Sequence, residues 1–426
     1  MQSGDTIDLE ISGVAHGGVF VARHEGRVVF VPDALPGEKV RVRITDVKKS
    51  FARAEALEVL DASPDRRPHV WAQADISVAP GARPGGADFG HIALPRQREL
   101  KAQVLSEALE RFAGTALDVT VRGPEDVLGA DHAAVAGTVD GTRYRTRISL
   151  HVDAAGNIGP YAARTNTIIP VTSHPLATAD IEAVALAVRK APEGRLDLVE
   201  PADGQVRTIR RPAFTGDKRR RFAPRPEKVA PEVVTEIVAD REFRVDAGGF
   251  WQVHRAAAAT LDHAVREALG ELSSDAWHLD LYGGVGLFAA AMGDLAGSAR
   301  ITTVESEARA TAHARYNLEM FGAEAVTARV DRFLSRVAHQ ATDLDRGMLS
   351  RGVTLLDPPR SGAGKDVVEG IASLQPSRVA YVACDPVALA RDIGYFRASG
   401  YELESLQAFD LFPNSHHVEA LAILSR

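Results

Sequence analysis

The 426-residue chain carries 50 Lys and Arg against 57 Asp and Glu, for a net charge of −7, and holds one cysteine. Its 45% hydrophobic and 25% charged residues exclude a largely disordered chain, and its length calls for two to four domains. The single cysteine excludes an internal disulfide and any metal site built on several thiolates, and no apolar run approaches the length of about 18 residues that a membrane span needs.

The start, MQSGDTIDLE, lacks a basic end followed by an apolar stretch, so the cytoplasm is the expected location. Residues 5–60 then read as five strands: TIDLEISGVA, GVFVARHEG, RVVFVPDALPG, EKVRVRITDVKK and SFARAEALEVL. Five short strands with glycine-bearing turns predict a small barrel of the oligonucleotide-binding type over residues 1–62. Alternation is clearest from Val40 to Ile44, which puts Arg41 and Arg43 on one face. A barrel serving only as a structural or protein-docking module fits the same pattern.

From Asp61 to Gly90 periodicity is lost and Pro and Gly concentrate in APGARPGGADFG, as in a linker or irregular lobe. Helical spacing begins near Leu94 in LPRQRELKAQVLSEALERFAG, and HAAVAGTVDGTRYRTRISLHVD follows as strand-like segments around a turn at Asp140 and Gly141. Residues 63–240 are thus expected to form a mixed α/β central domain. It ends in a basic segment, Arg207 to Lys228, where nine Lys or Arg against two acids give a local net of +7. Such a run serves a solvated loop as well as a nucleic-acid patch.

Residues 241–426 alternate helix and buried strand, the pattern of a doubly wound parallel sheet. The predicted strands are WHLDLY, ARITTVE, AVTARV, GVTLLD, SRVAYVAC, ELESLQAF and VEALAILS. After the first, DLYGGVGLFA places Gly284 and Gly286 where a tight turn meets a ligand, and Glu305 closes the second strand where a carboxylate can accept from ribose hydroxyls. This much fits NAD as well as S-adenosylmethionine. Asp280 favours the latter, because a carboxylate there opposes a pyrophosphate and suits a cationic methionine portion. Asp331, placed to meet an adenine amino group, and the paired sixth and seventh strands point the same way.

Strand 4 runs into Asp357-Pro358-Pro359-Arg360 and strand 5 into Ala383-Cys384-Asp385-Pro386. The only thiol therefore lies on the rim that carries the glycine loop, where a nucleophile is a stronger reading than a small buried hydrophobe. Carbon 5 of uracil gains nucleophilic character once a thiolate adds at carbon 6, and a base must later remove the carbon 5 proton. His416, His417 and Glu419 are equal candidates for that base on sequence alone.

FWQVH at 250–254, DLYGGVG at 280–286, LLDPPRSG at 355–362, YVACDPVALARD at 381–392 and FPNSHHVEAL at 412–421 together resemble the RNA uracil-5-methyltransferases. The likeness is to the bacterial branch that has an N-terminal TRAM domain and acts on ribosomal RNA; residues 5–60 look like TRAM. The resemblance implies S-adenosylmethionine as cofactor, Cys384 as nucleophile and Glu419 as base. It implies Gln252, Tyr282, Glu305, Asp331 and Asp357 around the cofactor, with Asp357 also able to face the uracil. RNA, ribosomal rather than transfer RNA, is the implied partner of a monomer that does not bind membranes. Many relatives bind an iron–sulfur cluster through four cysteines; Ala87 stands where one of them would be, so no cluster is expected. A small-molecule methyltransferase or dehydrogenase on the same sheet would leave the barrel and the basic segment idle. If that segment binds RNA, neutralising Arg219 to Arg221 should reduce the salt dependence of binding.

Overall fold

The computed structural model describes residues 1–135, 140–213, 231–297 and 299–426. Arg219 to Arg221, and with them most of the basic segment, lie outside the described residues.

Strands β1 (Thr6–Ala15), β2 (Val19–His24), β3 (Arg27–Val31), β4 (Lys39–Val47) and β5 (Phe51–Asp61) close into a barrel in the order β1-β2-β3-β5-β4. All neighbours are antiparallel except β3 with β5. The alternation along β4 turns Val40, Val42 and Ile44 inward. Arg41 and Arg43 face outward, but their charge is met across the sheet: Arg41 pairs with Asp8 at 2.9 Å and Glu58 at 3.1 Å, and Arg43 pairs with Glu55. Phe89, Ile92 and Leu100 from the following segment complete the barrel core, so the barrel and the next part of the chain share apolar surface. Ala87 is buried beside Trp71, Ala74, Tyr144 and Leu176 in a small apolar cluster.

Helix α1 (Leu94–Ala108) has Pro95 in its first turn and continues through a wider final turn that Gly114 closes at φ 63°. Next come β6 (Val121–Arg122) and the single turn α2 (Glu125–Leu128). The chain turns at Asp140 and Gly141 as expected, and part of the strand-like segment expected before the turn, 136–139, lies outside the described residues. Residues 133–135 form turns, and the second arm begins only at Arg147. Local bonding accounts for part of this: the Ala134 N–H donates to the His132 ring at 3.2 Å, and the Thr142 N–H donates to the Asp140 carboxylate at 3.0 Å. The central sheet consists of β7 (Arg147–Val152), β8 (Ile158–Gly159), β9 (Gly194–Val199) and β10 (Arg207–Pro212), ordered β10-β9-β7-β8, with helix α3 (Ala179–Ala187) between β8 and β9 in sequence. Hairpin β11 (Val233–Val238) and β12 (Arg241–Asp246) leads out of it.

The last part alternates as predicted: α4 (Ala257–Leu269), β13 (Trp277–Leu281), α5 (Leu287–Ala296), β14 (Arg300–Glu305), α6 (Ala308–Asn317), β15 (Glu324–Thr327), α7 (Val330–Gln340), α8 (Asp343–Arg351), β16 (Val353–Leu356), α9 (Lys365–Leu374), β17 (Arg378–Ala383), α10 (Pro386–Ala398), β18 (Glu402–Phe409) and β19 (Glu419–Ser425). The sheet order is β15-β14-β13-β16-β17-β19-β18-β6. Strands β13 and β16 are buried at every residue, as a parallel sheet covered on both faces requires. The final strand β19 runs antiparallel between β17 and β18. Two features were not legible beforehand. β6, far upstream in the chain, extends the sheet beside β18, and the predicted strand AVTARV stops at Thr327, with Val330 already opening α7.

Long-range contacts pin the barrel and α1 to this sheet. Lys101 of α1 is buried, pairs with Asp410 at 2.5 Å and donates to the Phe412 carbonyl at 3.1 Å. Gly18, in the turn between β1 and β2, has φ 70°, and a Cβ there would collide with the Asp88 carboxylate and the His416 ring. Those two groups bond each other at 2.7 Å. Gly18→Ala should therefore cost about 1–3 kcal/mol through backbone strain and forced separation of this contact. Thermal unfolding checks it: a midpoint equal to that of the parent chain would mean the turn is not confined. No helix among the described residues is long and apolar enough to cross a membrane.

Candidate active site

Cys384 is the residue between the end of β17 and the start of α10. Asp385 caps that helix, its carboxylate accepting from the Val387 and Ala388 N–H groups at 3.1 and 2.8 Å, and Pro386 takes the first helical position. The cap fixes the backbone on both sides of a half-buried thiol. Ala383 pairs with Ala420 on β19, and one further step along the two strands sets Cys384 beside Glu419. Asp357 arrives from the end of β16, its N–H donating to the Leu281 carbonyl at 3.2 Å.

The three groups perturb one another. Burial, then the Glu419 and Asp357 carboxylates, push the Cys384 thiol up to about 12. Burial, then Asp357, raises Glu419 well above the usual carboxyl range, and Arg360 opposes that rise. Burial, then Asp280, lifts Asp357 to about 7. The His pair falls outside this set. The His416 ring and backbone N–H both engage Asp88, at 2.7 and 3.2 Å. Arg360 donates to His417 Nε2 at 3.5 Å, and burial, then His416 and Arg360, push His417 down to about 3, so its ring is neutral. All three base candidates lie close to the thiol: His416 and His417 line the small cavity that Cys384 borders, and Glu419 is the one whose carboxylate acts on the thiol's pKa.

The glycine loop has the backbone expected of a ligand cradle. Gly284 and Gly286 have φ 54° and 95°, and Tyr282 holds φ 62°, a conformation that non-glycine residues rarely adopt outside constrained sites. A Cβ on Gly283 would overlap Thr303 and Asp280. Asp280 is fully buried; its Oδ2 accepts from the Thr303 hydroxyl at 2.8 Å, and the Ala289 N–H also acts on the carboxylate, although Oδ1 makes no hydrogen bond within 3.5 Å among the described residues. Burial lifts Asp280 to about 7, with Glu305 adding to the effect. Glu305, at the end of β14, uses one oxygen to accept from the Glu307 N–H at 2.7 Å. Tyr282 is pushed up to about 12 by burial, then by Asp331 and Asp392. Asp331 lies in the first turn of α7, where Arg329 bonds it at 3.0 and 3.1 Å and holds it below the usual carboxylate range.

The structure thus groups Cys384, Glu419 and Asp357 at one point of the rim, and joins them through Asp280 to Glu305. Tyr282 and Asp331 influence each other nearby. Gln252 stands apart, half-buried on the loop after β12 with no hydrogen bond among the described residues. That loop is held by Thr146, whose N–H donates to the Val253 carbonyl at 2.9 Å, and by Trp251, buried in the same cluster as Val285 and Leu287.

Sequence reasoning assigned no role to Asp392, which is fully buried and accepts from the Ala363 and Gly364 N–H groups and the Tyr381 hydroxyl at 2.7, 3.2 and 2.7 Å. It holds the loop that follows the two prolines, and its place as the last residue of YVACDPVALARD was the available signal. Asp88 and His16 were also missed. His16, on the β1–β2 turn, comes within 3.3 Å of Asp385, a contact across more than 300 positions that no local pattern announces.

Asp280 also gives a stability prediction. Its pKa is raised in the folded chain, so the unfolded state releases the proton first and stability falls as pH rises from about 4 to about 7. Asp280→Asn removes that loss, and its advantage in unfolding midpoint should be larger at pH 8 than at pH 5. An equal difference at both pH values would show that the carboxyl is not strained by burial.

Residues 2–57 match the TRAM domain model, and residues 232–426 match the model described as tRNA (Uracil-5-)-methyltransferase. An uncharacterised RNA methyltransferase of Streptomyces avermitilis is 38% identical over 99% of this chain and 98% of its own length. A 23S rRNA (uracil(1939)-C(5))-methyltransferase of Shewanella denitrificans is 27% identical over 98% of this chain and 95% of its own. Among solved structures, the Pyrococcus abyssi tRNA (uracil-54, C5)-methyltransferase, in complex with S-adenosyl-L-homocysteine, superposes with a TM-score of 0.66 at 20% identity, covering 98% of this chain and 99% of that one. That likeness speaks for the fold; the sequence matches speak for the family. The barrel, the sheet order and these matches agree: the chain belongs to the RNA uracil-5-methyltransferases that carry an N-terminal TRAM domain.

Proposed function

We propose that the chain moves a methyl group from S-adenosylmethionine to carbon 5 of a uridine in ribosomal RNA, through an adduct between Cys384 and carbon 6. The observation that carries this reading is the β17–β19 pairing that sets the lone cysteine beside Glu419. In support of the cofactor, Gly284 faces open space in a loop whose other glycines allow close packing, and the buried Asp280 carboxylate can face a positively charged group. Gln252, Tyr282, Glu305, Asp331 and Asp357 are the residues proposed to hold it, and when bound it supplies a methyl group on a cationic sulfur. In this division residues 1–62 and 63–240 hold the RNA, and residues 241–426 of the same monomer carry the chemistry.

Cys384 gives up its proton as the sulfur adds to carbon 6, with the neighbouring Asp357 carboxylate as the proposed acceptor; burial and the two carboxylates hold the free thiol protonated until then. The sulfur bonds to carbon 6, and the electron pair of the ring double bond moves toward carbon 5 and oxygen 4 as an enolate. Carbon 5 takes the methyl group, whose bond to the cationic sulfur would break with its electron pair left on that sulfur as a neutral thioether, and carbon 5 then bears both methyl and hydrogen. Glu419 removes that hydrogen as a proton, the ring double bond re-forms, and the carbon–sulfur bond breaks to return the thiolate. Ribosomal RNA is favoured because the Shewanella relative, which spans the whole chain, is named for 23S rRNA. Transfer RNA is the second reading, from the family model's name and that of the Pyrococcus protein.

The test is methyl transfer to total RNA from a strain lacking the gene, followed by digestion to nucleosides and mapping. The expected product is 5-methyluridine in ribosomal RNA. A different methylated nucleoside would overturn the reaction, and 5-methyluridine confined to transfer RNA would overturn the substrate.

A further inference from the structure

A cleft of about 650 Å³ lies apart from Cys384, between the central sheet and the 247–253 loop. Arg145, Arg147, Arg164, Arg195 and Arg211 line it, with Asp197 as the acid among its lining residues, in a chain whose net charge is −7. Arg195 and Arg211 share Asp197, at 2.8 and 2.5 Å, and Arg147 pairs with Glu236 at 3.0 Å. Arg145 and Arg164 have neutral partners instead: the Tyr144 hydroxyl at 3.2 Å and the Gly18 carbonyl at 3.4 Å. Five guanidiniums against two carboxylates leave the cleft strongly positive. Uncompensated charge of this kind suits a ligand that brings repeated negative charge.

The walls add flat apolar surface. Tyr161 stacks on His151, with ring centroids 3.7 Å apart, and is 37% exposed. Phe250, at the mouth, is 75% exposed. An aromatic ring left in water beside guanidiniums is the pairing that takes unstacked bases together with their phosphates, and bases in a duplex cannot offer their faces in this way. The loop that carries Phe250 is held against the central sheet by the Thr146 N–H, which donates to the Val253 carbonyl at 2.9 Å.

We propose that this cleft binds unpaired RNA, with bases stacking on Phe250 and Tyr161 and phosphates meeting Arg164 and Arg195. The proposal rests on the RNA reading above and sharpens it: the substrate RNA presents a single-stranded segment to the central sheet.

The test is fluorescence anisotropy with the full chain and a labelled 12-nucleotide single-stranded RNA, against the same sequence as a duplex, across a salt series. Phe250→Ala and Tyr161→Ala should each weaken single-strand binding about 10-fold and leave duplex binding unchanged. Arg164→Gln with Arg195→Gln should reduce the single-strand salt slope by about 1.4. Unfolding midpoints equal to the parent's confirm that the variants are folded. Loss of binding in these folded variants supports the cleft even if total RNA yields no 5-methyluridine, in which case only the methylation reading fails. Parent-like affinity and slope in all variants overturn the cleft assignment and leave the methylation reading standing. Equal binding of duplex and single strand by the parent chain overturns the proposal as well.

Discussion

Cys384→Ala is expected to lower methyl transfer by at least about four orders of magnitude while RNA and cofactor binding survive, because the lost sulfur forms the bond that activates carbon 5. No second thiol can substitute, since the chain has one cysteine. The alanine should fold: the position is only half-buried, and the Asp385 cap that shapes the backbone there remains. Cys384→Ser should be nearly as inactive, which would separate loss of the nucleophile from loss of volume. Single-turnover transfer to RNA, with cofactor affinity measured alongside, checks both variants. Turnover within 10-fold of the parent would remove the covalent step from the mechanism.

Glu419→Gln should behave differently. Addition and methyl transfer continue, but removal of the carbon 5 proton slows by about 10²–10⁴, so the protein–RNA adduct accumulates. The residue is buried, and burial with Asp357 alongside raises its pKa well above the usual carboxyl range, which makes its carboxylate a stronger base. Both histidines border the same cavity as Cys384, but His416 is bonded to Asp88, and His417 receives the Arg360 N–H and has its basicity lowered by burial, then by His416 and Arg360. His417→Asn should accordingly leave adduct release far less affected. A denaturing gel of protein with labelled RNA reads the difference. If the glutamine variant released product as fast as the parent, the base would be another group.

Local patterning made much of this legible. The barrel strands and the last sheet announce themselves by alternation and by continuous apolar runs, and the glycines after β13 mark the cradle. Cys384, Asp357 and Glu419 each sit at a strand end, where position alone suggests chemistry. The choice among His416, His417 and Glu419 was beyond the sequence, because it depends on which strand lies next to β17, and β19 reaches that place by passing β18. The same limit hid the Asp88–His416 and His16–Asp385 contacts, each set by chain packing rather than spacing. In the middle region the turn at Asp140 was legible from its Asp-Gly pair, whereas residues 133–135, expected to be strand-like, form turns through local bonding.

The most direct measurement uses RNA carrying 5-fluorouridine with S-adenosylmethionine. Fluorine cannot leave carbon 5 as a proton does, so the last step is blocked and the adduct persists. After digestion, mass spectrometry should find a methylated 5-fluorouridine nucleotide on the peptide that contains Cys384. Efficient methylation of ordinary RNA with no such adduct on Cys384 would contradict the covalent mechanism.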